Sequence, residues 1–474
     1  MRRRGFLKSG MAFAGAMGAG APVLGAPADP ELRIGLIADT HLLLPPDIAG
    51  RRKLEEALYR FDAEKVDAVL VAGDLTDFGL VPELKVFADT WYGVFPGDRR
   101  SDGVHVEKLF IYGDHDTGGY IHERIRNVAG YPASKDEIRK SVIPFGDRGQ
   151  IWKDLFHEDW APVVRKTVKG YDFVLVHHAQ GEPDNKWGSR APALKRFYDG
   201  FRPDTSRPFF HVQHRVCANT AILPGNFIYD NGESTGILSR FRNCFAICGH
   251  AHTCFSSDRV LWQGPFTLLE LPSLSYVYDF AGRENGRMSK AQTDSGYVPQ
   301  MDIYPFWRVR QGMIADVYGD RIVVSRIDFE SPAKGRFGPD WIIPLPLGEE
   351  RPFAPDAMAA GSPVPQFPAG AKVNVSTGKG RNRKGEIVEQ VTVSFPTVLA
   401  SALGPRAFDY EVTAEGENGE KVVKRVYSQM FWRAECAEPE MAKCIFAKAE
   451  LPKGNVRFSV CPANSFGKAG RKIV

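Results

Sequence analysis

The sequence predicts a layered α/β domain followed by a small all-β domain. In the N-terminal part, short apolar runs alternate with segments of helical periodicity, which is the pattern of buried strands joined by helices. Towards the C-terminus, short alternating runs are separated by glycine and asparagine, as in a small β-sandwich. A proline-rich segment lies between the two regions. With 474 residues, the chain is long enough for one large domain and one smaller domain.

Residues 1–28 are predicted to be a signal peptide. Three arginines at positions 2–4 precede Phe6-Leu7-Lys8, a weakly hydrophobic Ala/Gly run follows, and Ala26-Pro27-Ala28 offers small residues to a signal peptidase. The Arg-Arg-Gly-Phe-Leu-Lys string resembles a bacterial twin-arginine signal, which implies that the protein folds and can load its cofactor before export. An uncleaved membrane anchor is the alternative, but the run at 9–25 is shorter and less apolar than the ~20 residues of a spanning helix. We therefore expect a periplasmic or secreted protein without stable membrane insertion.

The mature chain is electrically neutral. Residues 1–28 carry four basic and no acidic residues, so their removal leaves 57 basic and 57 acidic side chains. A neutral protein is a poor candidate for binding nucleic acid through its phosphates, and we expect no nucleic-acid partner. The basic run from Lys379 to Lys384 lies among glycines between two strand-like stretches, which favours a solvated hairpin loop.

The seven cysteines leave at least one thiol unpaired. Four of them alternate with apolar residues, so we interpret them as buried small hydrophobic residues rather than metal ligands: Cys217, Cys244, Cys248 and Cys254. The other three lie in the C-terminal region, where export would permit a disulfide whose pairing the sequence leaves open: Cys436, Cys444 and Cys461.

The α/β domain is predicted at residues 29–347. Short, nearly continuous apolar runs suit strands that are buried on both faces, and the first three are separated by segments of helical spacing. These strands are expected at 33–38, 67–72 and 108–112, the helices at 51–63 and 81–91, and further strands at 171–176, 208–213, 245–248, 259–262 and 266–271.

Two long segments interrupt this alternation of strands and helices. Residues 117–169 contain several large aromatic side chains and are expected to form inserted helices. Residues 272–307 have no clean period and many aromatics, which is typical of a functional loop. Runs at 312–318 and 321–329 flank Gly319-Asp320 and predict a hairpin that closes the domain.

A linker is predicted at 348–368 and a β-sandwich domain at 369–474. Seven prolines fall between residues 344 and 368, which is linker composition. Six short alternating runs follow, at 372–375, 389–395, 408–414, 421–427, 444–449 and 455–460. This region resembles a fibronectin type III-like module, with Tyr410, Leu451-Pro452-Lys453-Gly454 and the 463–468 segment as the matching pieces.

Five motifs that carry chemistry occur in a fixed order, each where an apolar run stops. They are Asp39-Thr40-His41, Gly73-Asp74-Leu75-Thr76-Asp77, Gly113-Asp114-His115-Asp116, a lone histidine near 214, and Gly249-His250-Ala251-His252. Open α/β folds place their chemistry at one edge of the sheet, so we expect these side chains to converge. Two metal ions about 3.5 to 4 Å apart need a shared carboxylate, and Asp74 is the natural bridge. Each motif alone is a weak signal, but their coincidence predicts a two-metal hydrolytic site.

These motifs resemble those of the calcineurin-like metallophosphoesterase family, whose pattern is Asp-x-His, Gly-Asp-x-x-Asp, Gly-Asn-His-Asp/Glu, a lone His and Gly-His-x-His. The match covers about residues 33–330. It implies a metallophosphoesterase-type layered β-sandwich flanked by helices. It also implies that a hydroxide bridging two ions, of Mn, Fe or Zn, hydrolyses a small phosphate mono- or diester.

Carried over position by position, the resemblance implies a role for nine residues. One ion would be held by Asp39, His41, Asp74 and His252, and the other by Asp74, Asp114, His214 and His250. His115 would be the acid or the charge stabiliser at the phosphate, oriented by Asp116. A histidine that only supports a ligand is the alternative role for His115.

Four histidines compete for the position of the lone metal ligand: His177, His178, His211 and His214. Both Val176-His177-His178 and the segment 210–214 follow apolar runs. We favour His214, because the segment 194–198 and the strand that ends at Gln213 look like the helix and strand that lead to this ligand in the family.

The third motif departs from the family, which has asparagine where this chain has Asp114. An aspartate can still ligate through one oxygen, but it adds a negative charge and removes an amide donor. Metal preference and affinity for an anionic substrate could both change. We predict that Asp114→Asn retains or raises phosphoesterase activity.

Ordinary loop packing could explain any one of the candidate substrate contacts. These candidates are polar and aromatic residues near the motifs, namely His178, Asn185, Lys186, Trp187, Tyr276 and Tyr278. The sequence does not distinguish a monoesterase from a diesterase. A binding or scaffold protein that keeps the metals for stability is the competing hypothesis. The presence of His115 and of every ligand argues against it.

Overall fold

The structure is a computed structural model that describes residues 29–44, 48–117, 147–178, 191–221, 230–277, 310–329, 337–382, 385–399, 406–428 and 441–474. Several predicted features lie outside these residues, namely the signal peptide at 1–28, Cys436 and the candidate contacts Asn185, Lys186, Trp187 and Tyr278. None of the helices in the described ranges combines the length and the apolar character needed to cross a membrane.

The first sheet contains the strands that carry the first three motifs. Its strand order is β12-β11-β10-β1-β2-β3, in which β1, β2 and β3 are parallel and β10, β11 and β12 continue the sheet in antiparallel fashion. The strands are β1 (Leu32–Ile37), β2 (Ala68–Val71), β3 (Glu107–Phe110), β10 (Gln311–Val317), β11 (Arg321–Asp328) and β12 (Trp341–Pro344). Helices α1 (Ile48–Ala63), α2 (Val81–Val94) and α3 (Arg148–Phe156) accompany this sheet.

The second sheet carries the two histidine motifs. Its order is β4-β5-β6-β7-β9-β8, with β5, β6, β7 and β9 parallel and the two edge strands antiparallel. The strands are β4 (Val163–Val168), β5 (Tyr171–Val176), β6 (Phe209–Gln213), β7 (Cys244–Cys248), β8 (Leu261–Gln263) and β9 (Thr267–Glu270). Helices α4 (Ala191–Gly200) and α5 (Glu233–Leu238) belong to this layer.

The two sheets face each other across one buried core, so the predicted layered β-sandwich flanked by helices is confirmed. Alternate residues of β1, such as Ile34 and Leu36, belong to the same apolar cluster as Phe210 and Ile247 of the second sheet. On its other face the first sheet buries Ile37, Val69 and Val71 together with residues of α1, α2 and α3. Each central strand is therefore apolar on both faces, which explains the continuous apolar runs.

Three elements differ from the prediction. Residues 163–168 form the edge strand β4, although the sequence placed inserted helices up to residue 169; Arg165 and Lys166 interrupt the apolar run because this edge is half exposed. Strand β12 extends the first sheet where no strand was expected. The proline-rich segment contains the short helix α6 (Pro355–Gly361), which begins with proline at its first turn, where the missing N–H has no helical partner to lose.

The C-terminal region forms two three-stranded antiparallel sheets, as expected for a small β-sandwich. The sheets are β13-β14-β17 and β16-β15-β18. Their strands are β13 (Asn374–Arg381), β14 (Ile387–Pro396), β15 (Asp409–Gly416), β16 (Lys421–Tyr427), β17 (Met441–Ala447) and β18 (Val456–Ala463). Phe395, Tyr410, Phe446 and Val460 are among the residues of the core between them. The basic run lies at the β13–β14 hairpin, and Lys379 and Arg381 are exposed there.

The cysteines of the α/β domain are buried in its core, as expected. Among the described residues, no potential metal-binding group contains a cysteine. Cys444 on β17 and Cys461 on β18 are not joined to each other by a disulfide.

Candidate metal centre

The metal centre is predicted where the ends of β1, β2, β3, β6 and β7 meet, and the backbone there is unusual. Asp39, His41, Asp74, His250 and His252 have positive φ angles of 54°, 44°, 52°, 72° and 52°. For residues with a Cβ this left-handed conformation is uncommon, and it persists only where the surrounding structure enforces it. The chain therefore turns sharply after β1, β2 and β7 and directs these side chains towards one point.

Glycines allow the turns to approach each other. A Cβ at Gly113 would lie 2.1 Å from Oδ1 of Asp74, and a Cβ at Gly249 would lie 2.9 Å from Oδ2 of Asp39. No real Cβ approaches an atom so closely, so a side chain at either position would displace an adjacent carboxylate. The glycines that flank the motifs are thus explained by packing around the ligands.

The first group of convergent side chains contains Asp39, His41, Asp74 and His252, whose ligand atoms lie within 4.8 Å of one another. Nε2 of His252 lies 3.1 Å from Oδ1 of Asp39 and 3.1 Å from Nε2 of His41. The Nδ1–H of His41 donates to Oδ1 of Asp77, and that of His252 donates to the carbonyl of Tyr276, both at 2.9 Å. Because Nδ1 of each ring donates away from the centre, the two Nε2 atoms face each other, an arrangement that a cation between them would stabilise.

The second group contains Asp74, Asp114, His214 and His250. The Nδ1–H of His214 donates to the carbonyl of Ala72 at 2.7 Å, which leaves its Nε2 facing Oδ1 of Asp114 and Oδ1 of Asp74, each at 3.1 Å. Nδ1 of His250 lies 3.3 Å from Oδ1 of Asp114 and 3.2 Å from Nε2 of His214. As in the first group, imidazole nitrogens and carboxylate oxygens face a common centre.

Asp74 belongs to both groups and supplies one oxygen to each. Its Oδ1 lies beside His214, and its Oδ2 lies 3.6 Å from Nε2 of His41. Oδ2 is buried and has no hydrogen-bond partner in the described part of the chain. A buried carboxylate oxygen without a partner is costly, so this residue fits a carboxylate shared by two cations.

The charges of the site also fit bound cations. Burial alone would raise the pKa of Asp114, but the imidazoles of His250 and His214 hold the pKa of this carboxyl well below its usual range. The pKa of Asp39 is likewise lowered, because His252 outweighs the effect of burial. Burial disfavours protonation of His214, yet Asp74 and Asp114 raise its pKa well above the usual value. Ionised carboxylates in a buried site require compensating positive charge, from protons or from metal ions.

Comparison with known families agrees with this geometry. Residues 32–254 match the family described as calcineurin-like phosphoesterase. These residues form a calcineurin-like phosphoesterase domain. The match covers all five motifs, the last of which contains His250 and His252. The domain is therefore that of a hydrolase of phosphate esters.

Solved structures resemble the chain at low sequence identity. A dimetal phosphatase from Danio rerio is 12% identical, with a TM-score of 0.36, and the similarity covers 67% of this chain and 99% of that one. Vacuolar protein sorting 29 from Cryptosporidium parvum is 11% identical, with a TM-score of 0.29 and coverage of 66% and 97%. Vps29 of Entamoeba histolytica complexed with Zn²⁺ is 11% identical, with a TM-score of 0.26 and coverage of 66% and 99%. No curated protein matches the chain.

His115 of the phosphoesterase domain lies beside the first group, but Asp116 does not orient it as expected. The carboxylate of Asp116 accepts hydrogen bonds from the backbone N–H groups of Gly113, Leu75 and Thr76 and from the Thr76 hydroxyl, at 2.7 to 3.0 Å. Asp116 thus fixes two ligand-bearing turns against each other. Asp77 orients His115 instead: Nδ1 of His115 donates to the Asp77 carbonyl at 2.6 Å and lies 3.8 Å from its carboxylate.

Asp77 is a site residue for which the sequence motifs predicted no role. It accepts a hydrogen bond from His41 and contacts His115, so it links one ligand of the first group to the histidine beside it. The three residues His41, Asp77 and His115 form a further group of converging ligand atoms. The signal was available, because Asp77 is the second aspartate of the Gly-Asp-x-x-Asp motif.

The contacts in the structure distinguish the four histidines that were candidates for the lone metal ligand. His214 lies in the second group, as described above. His211 hydrogen-bonds to Tyr198 and Gln213 inside the core, at 2.7 and 2.9 Å. Nδ1 of His177 accepts the backbone N–H of Tyr112, and its ring packs 4.8 Å from that of Trp152. His178 is buried at the end of β5, where its backbone N–H donates to the carbonyl of Tyr112.

Tyr276 is the candidate substrate contact that the structure places beside the first group. Its ring centroid lies 4.3 Å from that of His252 and 5.4 Å from that of His41. Burial and the neighbouring carboxylates raise the pKa of its hydroxyl, so it remains a neutral hydrogen-bond donor. Its position next to two imidazoles follows from the turn at Ser273, whose hydroxyl accepts the N–H of Tyr276 at 3.1 Å.

Proposed function

We propose that the protein is an exported, metal-dependent phosphoesterase that hydrolyses a small phosphate mono- or diester at a dinuclear site. The ligands would be Asp39, His41, Asp74 and His252 for one ion, and Asp74, Asp114, His214 and His250 for the other. The observation that carries this proposal is Asp74, which supplies one oxygen to each group and whose Oδ2 has no hydrogen-bond partner within the described residues.

The chemistry follows from what the side chains hold in place. Two cations bound by these ligands would supply positive charge for the phosphoryl oxygens and would lower the pKa of a metal-bound water. The hydrogen bonds from His41 to Asp77, from His252 to Tyr276 and from His214 to Ala72 keep one nitrogen of each ring free as a ligand. His115 lies beside this centre with Nδ1 fixed on Asp77, so its other ring nitrogen can donate a hydrogen bond or a proton to a departing oxygen.

The proposal is tested by combining metal content with hydrolysis. Chelated mature protein is reloaded with Mn²⁺ and assayed on p-nitrophenyl phosphate and bis(p-nitrophenyl) phosphate, and bound metal is counted by mass spectrometry. We expect two ions per chain, activity that depends on them, and a loss of at least about 10²-fold in kcat/KM for Asp74→Asn. Asp89→Asn, which alters only an exposed pair with Lys85 on α2, is the matched control. Two bound ions without hydrolysis of any ester in a broad panel would favour the scaffold hypothesis.

The identity of the ions and the class of substrate are determined with the same protein and the same hydrolysis assay. A set of imidazoles and carboxylates accepts Mn, Fe or Zn, and metal supply selects among them, so the ion is identified in protein purified from its own host. A panel of nucleotides, sugar phosphates and phospholipid headgroups then ranks leaving groups. Alanine variants of His178 and Tyr276 test the two described candidate contacts, and variants at Asn185, Lys186, Trp187 and Tyr278 test the others.

Export and domain organisation are also part of the proposal. The twin-arginine-like segment at 1–28 supports passage of a folded protein, and Arg3→Lys/Arg4→Lys should retain the protein in the cytoplasm when cell fractions are compared. We propose a catalytic domain at 29–347, a linker at 348–368 and a fibronectin type III-like domain at 369–474. The three-plus-three antiparallel strands of the C-terminal region support this division, and limited proteolysis tests the boundaries.

A further inference from the structure

Arg215 directly follows the predicted metal ligand His214 and contacts the residue that departs from the family pattern. Its Nη2 donates to Oδ2 of Asp114 at 3.1 Å. The Asp114 side chain is 2% exposed and that of Arg215 is 13% exposed, so the pair lies in the protein interior. Arg215 therefore places a guanidinium against a carboxylate at the position where the family has a neutral amide.

The two oxygens of Asp114 have separate partners. Oδ1 faces His214 and His250, on the side of the second group, and Oδ2 faces Arg215. A carboxylate divided in this way can give one oxygen to a cation, as an asparagine carbonyl would, while its second oxygen and its charge are held by the guanidinium. In geometry and in net charge, the Asp114–Arg215 pair then reproduces an asparagine.

The charge count shows why this matters for an anionic substrate. Asp39, Asp74 and Asp114 are the three carboxylates of the ligand groups. With two divalent cations they leave one positive charge, whereas two carboxylates and an amide would leave two. The guanidinium restores the second positive charge close to the centre. In a buried site, where charges are weakly screened, a difference of one charge affects the binding of a phosphate anion.

We propose that Arg215 is a positioning residue that acts through Asp114: it holds this carboxylate to a single ligating oxygen and cancels its charge, so that the centre keeps its affinity for phosphate. The inference rests on the proposed function, since it concerns the same site. It does not assign Arg215 to the substrate. The Nε of Arg215 is buried and has no hydrogen-bond partner among the residues described, which also agrees with a guanidinium that is fixed by Asp114 rather than shared with other groups.

A double-mutant cycle tests the inference. Arg215→Gln is made in the wild-type and in the Asp114→Asn background, and Arg215→Lys keeps the charge. The measurements are bound Mn²⁺ per chain, the Kd of inorganic phosphate by calorimetry on the Mn²⁺-loaded protein, and kcat/KM. Arg207→Gln, which removes an exposed arginine paired with Asp204, is the control for loss of one positive charge.

We expect Arg215→Gln to weaken phosphate binding about ten-fold in the wild-type background and less than about three-fold in the Asp114→Asn background, because no carboxylate then needs compensation. Arg215→Lys should stay within about three-fold of wild type. Equal losses of phosphate affinity in both backgrounds would show that Arg215 acts on phosphate or on the fold directly. No loss of affinity in either background would show that Arg215 does not contribute to phosphate binding. Either result would overturn the inference. A wild-type protein that binds no metal and hydrolyses no ester would contradict the proposed function instead.

Discussion

Replacing Gly113 by alanine should separate the two proposed metal positions without removing a single ligand. The new methyl carbon would lie 2.1 Å from Oδ1 and 2.3 Å from the backbone nitrogen of Asp74. An ordinary contact begins at 3.4 Å, so the first distance is too short by 1.3 Å. Because one of the opposing atoms belongs to the backbone, Asp74 cannot escape by a change of rotamer, and its whole turn must move.

The expected effects are large on activity and moderate on stability. Overpacking a close-packed region costs about 1–3 kcal/mol, which a domain of this size survives. A displacement of about 1 Å at a reacting centre costs roughly 10²-fold in rate. We therefore expect Gly113→Ala to stay folded, to bind fewer than two ions per chain and to lose about 10²-fold in kcat/KM on a chromogenic phosphate ester.

Gly93→Ala is the matched control for this substitution. Gly93 lies in α2, and a Cβ there would meet nothing within 4 Å. Alanine in a helix is more favourable than glycine by about 0.8–1 kcal/mol, so this variant should melt at a slightly higher temperature with unchanged activity. If Gly113→Ala keeps two bound ions and wild-type kcat/KM, the view that these turns fix the position of Asp74 is wrong.

Three further predictions concern residues around the centre. Asp77→Asn should weaken metal binding by about 10- to 100-fold, because the carboxylate that fixes His41 loses its charge; an unchanged Kd for Mn²⁺ would contradict this role. Asp116→Ala should lower stability by about 3 kcal/mol or more, since it leaves three buried N–H groups without an acceptor, whereas the exposed control Asp159→Ala should not change the urea midpoint. In the metal-free protein, burial opposes protonation of His115, but Asp74 and its neighbours raise the pKa to about 9. The resulting stabilisation is complete below about pH 6.5 and disappears as the pH rises through about 9, so urea midpoints of wild type and His115→Gln should converge at high pH.

Much of the architecture could be predicted because the central strands are buried on both faces. Residues 33–38, 67–72 and 245–248 are nearly continuous apolar runs, and each lies in a strand that ends just before a motif. Strand β4 was missed because it lies at an edge, where the exposed Arg165 and the ion-paired Lys166 interrupt the apolar pattern. An apolar pattern in the sequence arises where side chains are buried. An edge strand buries too few side chains to produce a clear pattern.

The candidate ligands could also be predicted, but their supporting contacts could not. Asp39, Asp74 and His214 each come at the end of an apolar run, and this position can be recognised from the sequence alone. Asp116 stands next to His115 in the sequence, yet its carboxylate points back to the amides of Leu75 and Thr76, about forty positions away. The contact of Arg215 with Asp114 likewise joins residues 101 positions apart. Such pairs depend on how two turns lie in space, which no local spacing encodes.

The ligand groups draw their carboxylates from one sheet and part of their imidazoles from the other. Asp39, Asp74 and Asp114 follow β1, β2 and β3, whereas His214 and the two histidines of the last motif follow β6 and β7. A cation at either position would therefore clamp the two layers of the sandwich together. Ligand binding at 100 times its Kd adds about 2.7 kcal/mol to the free energy of unfolding. The availability of metal ions would thus determine how strongly the two sheets of the domain are held together.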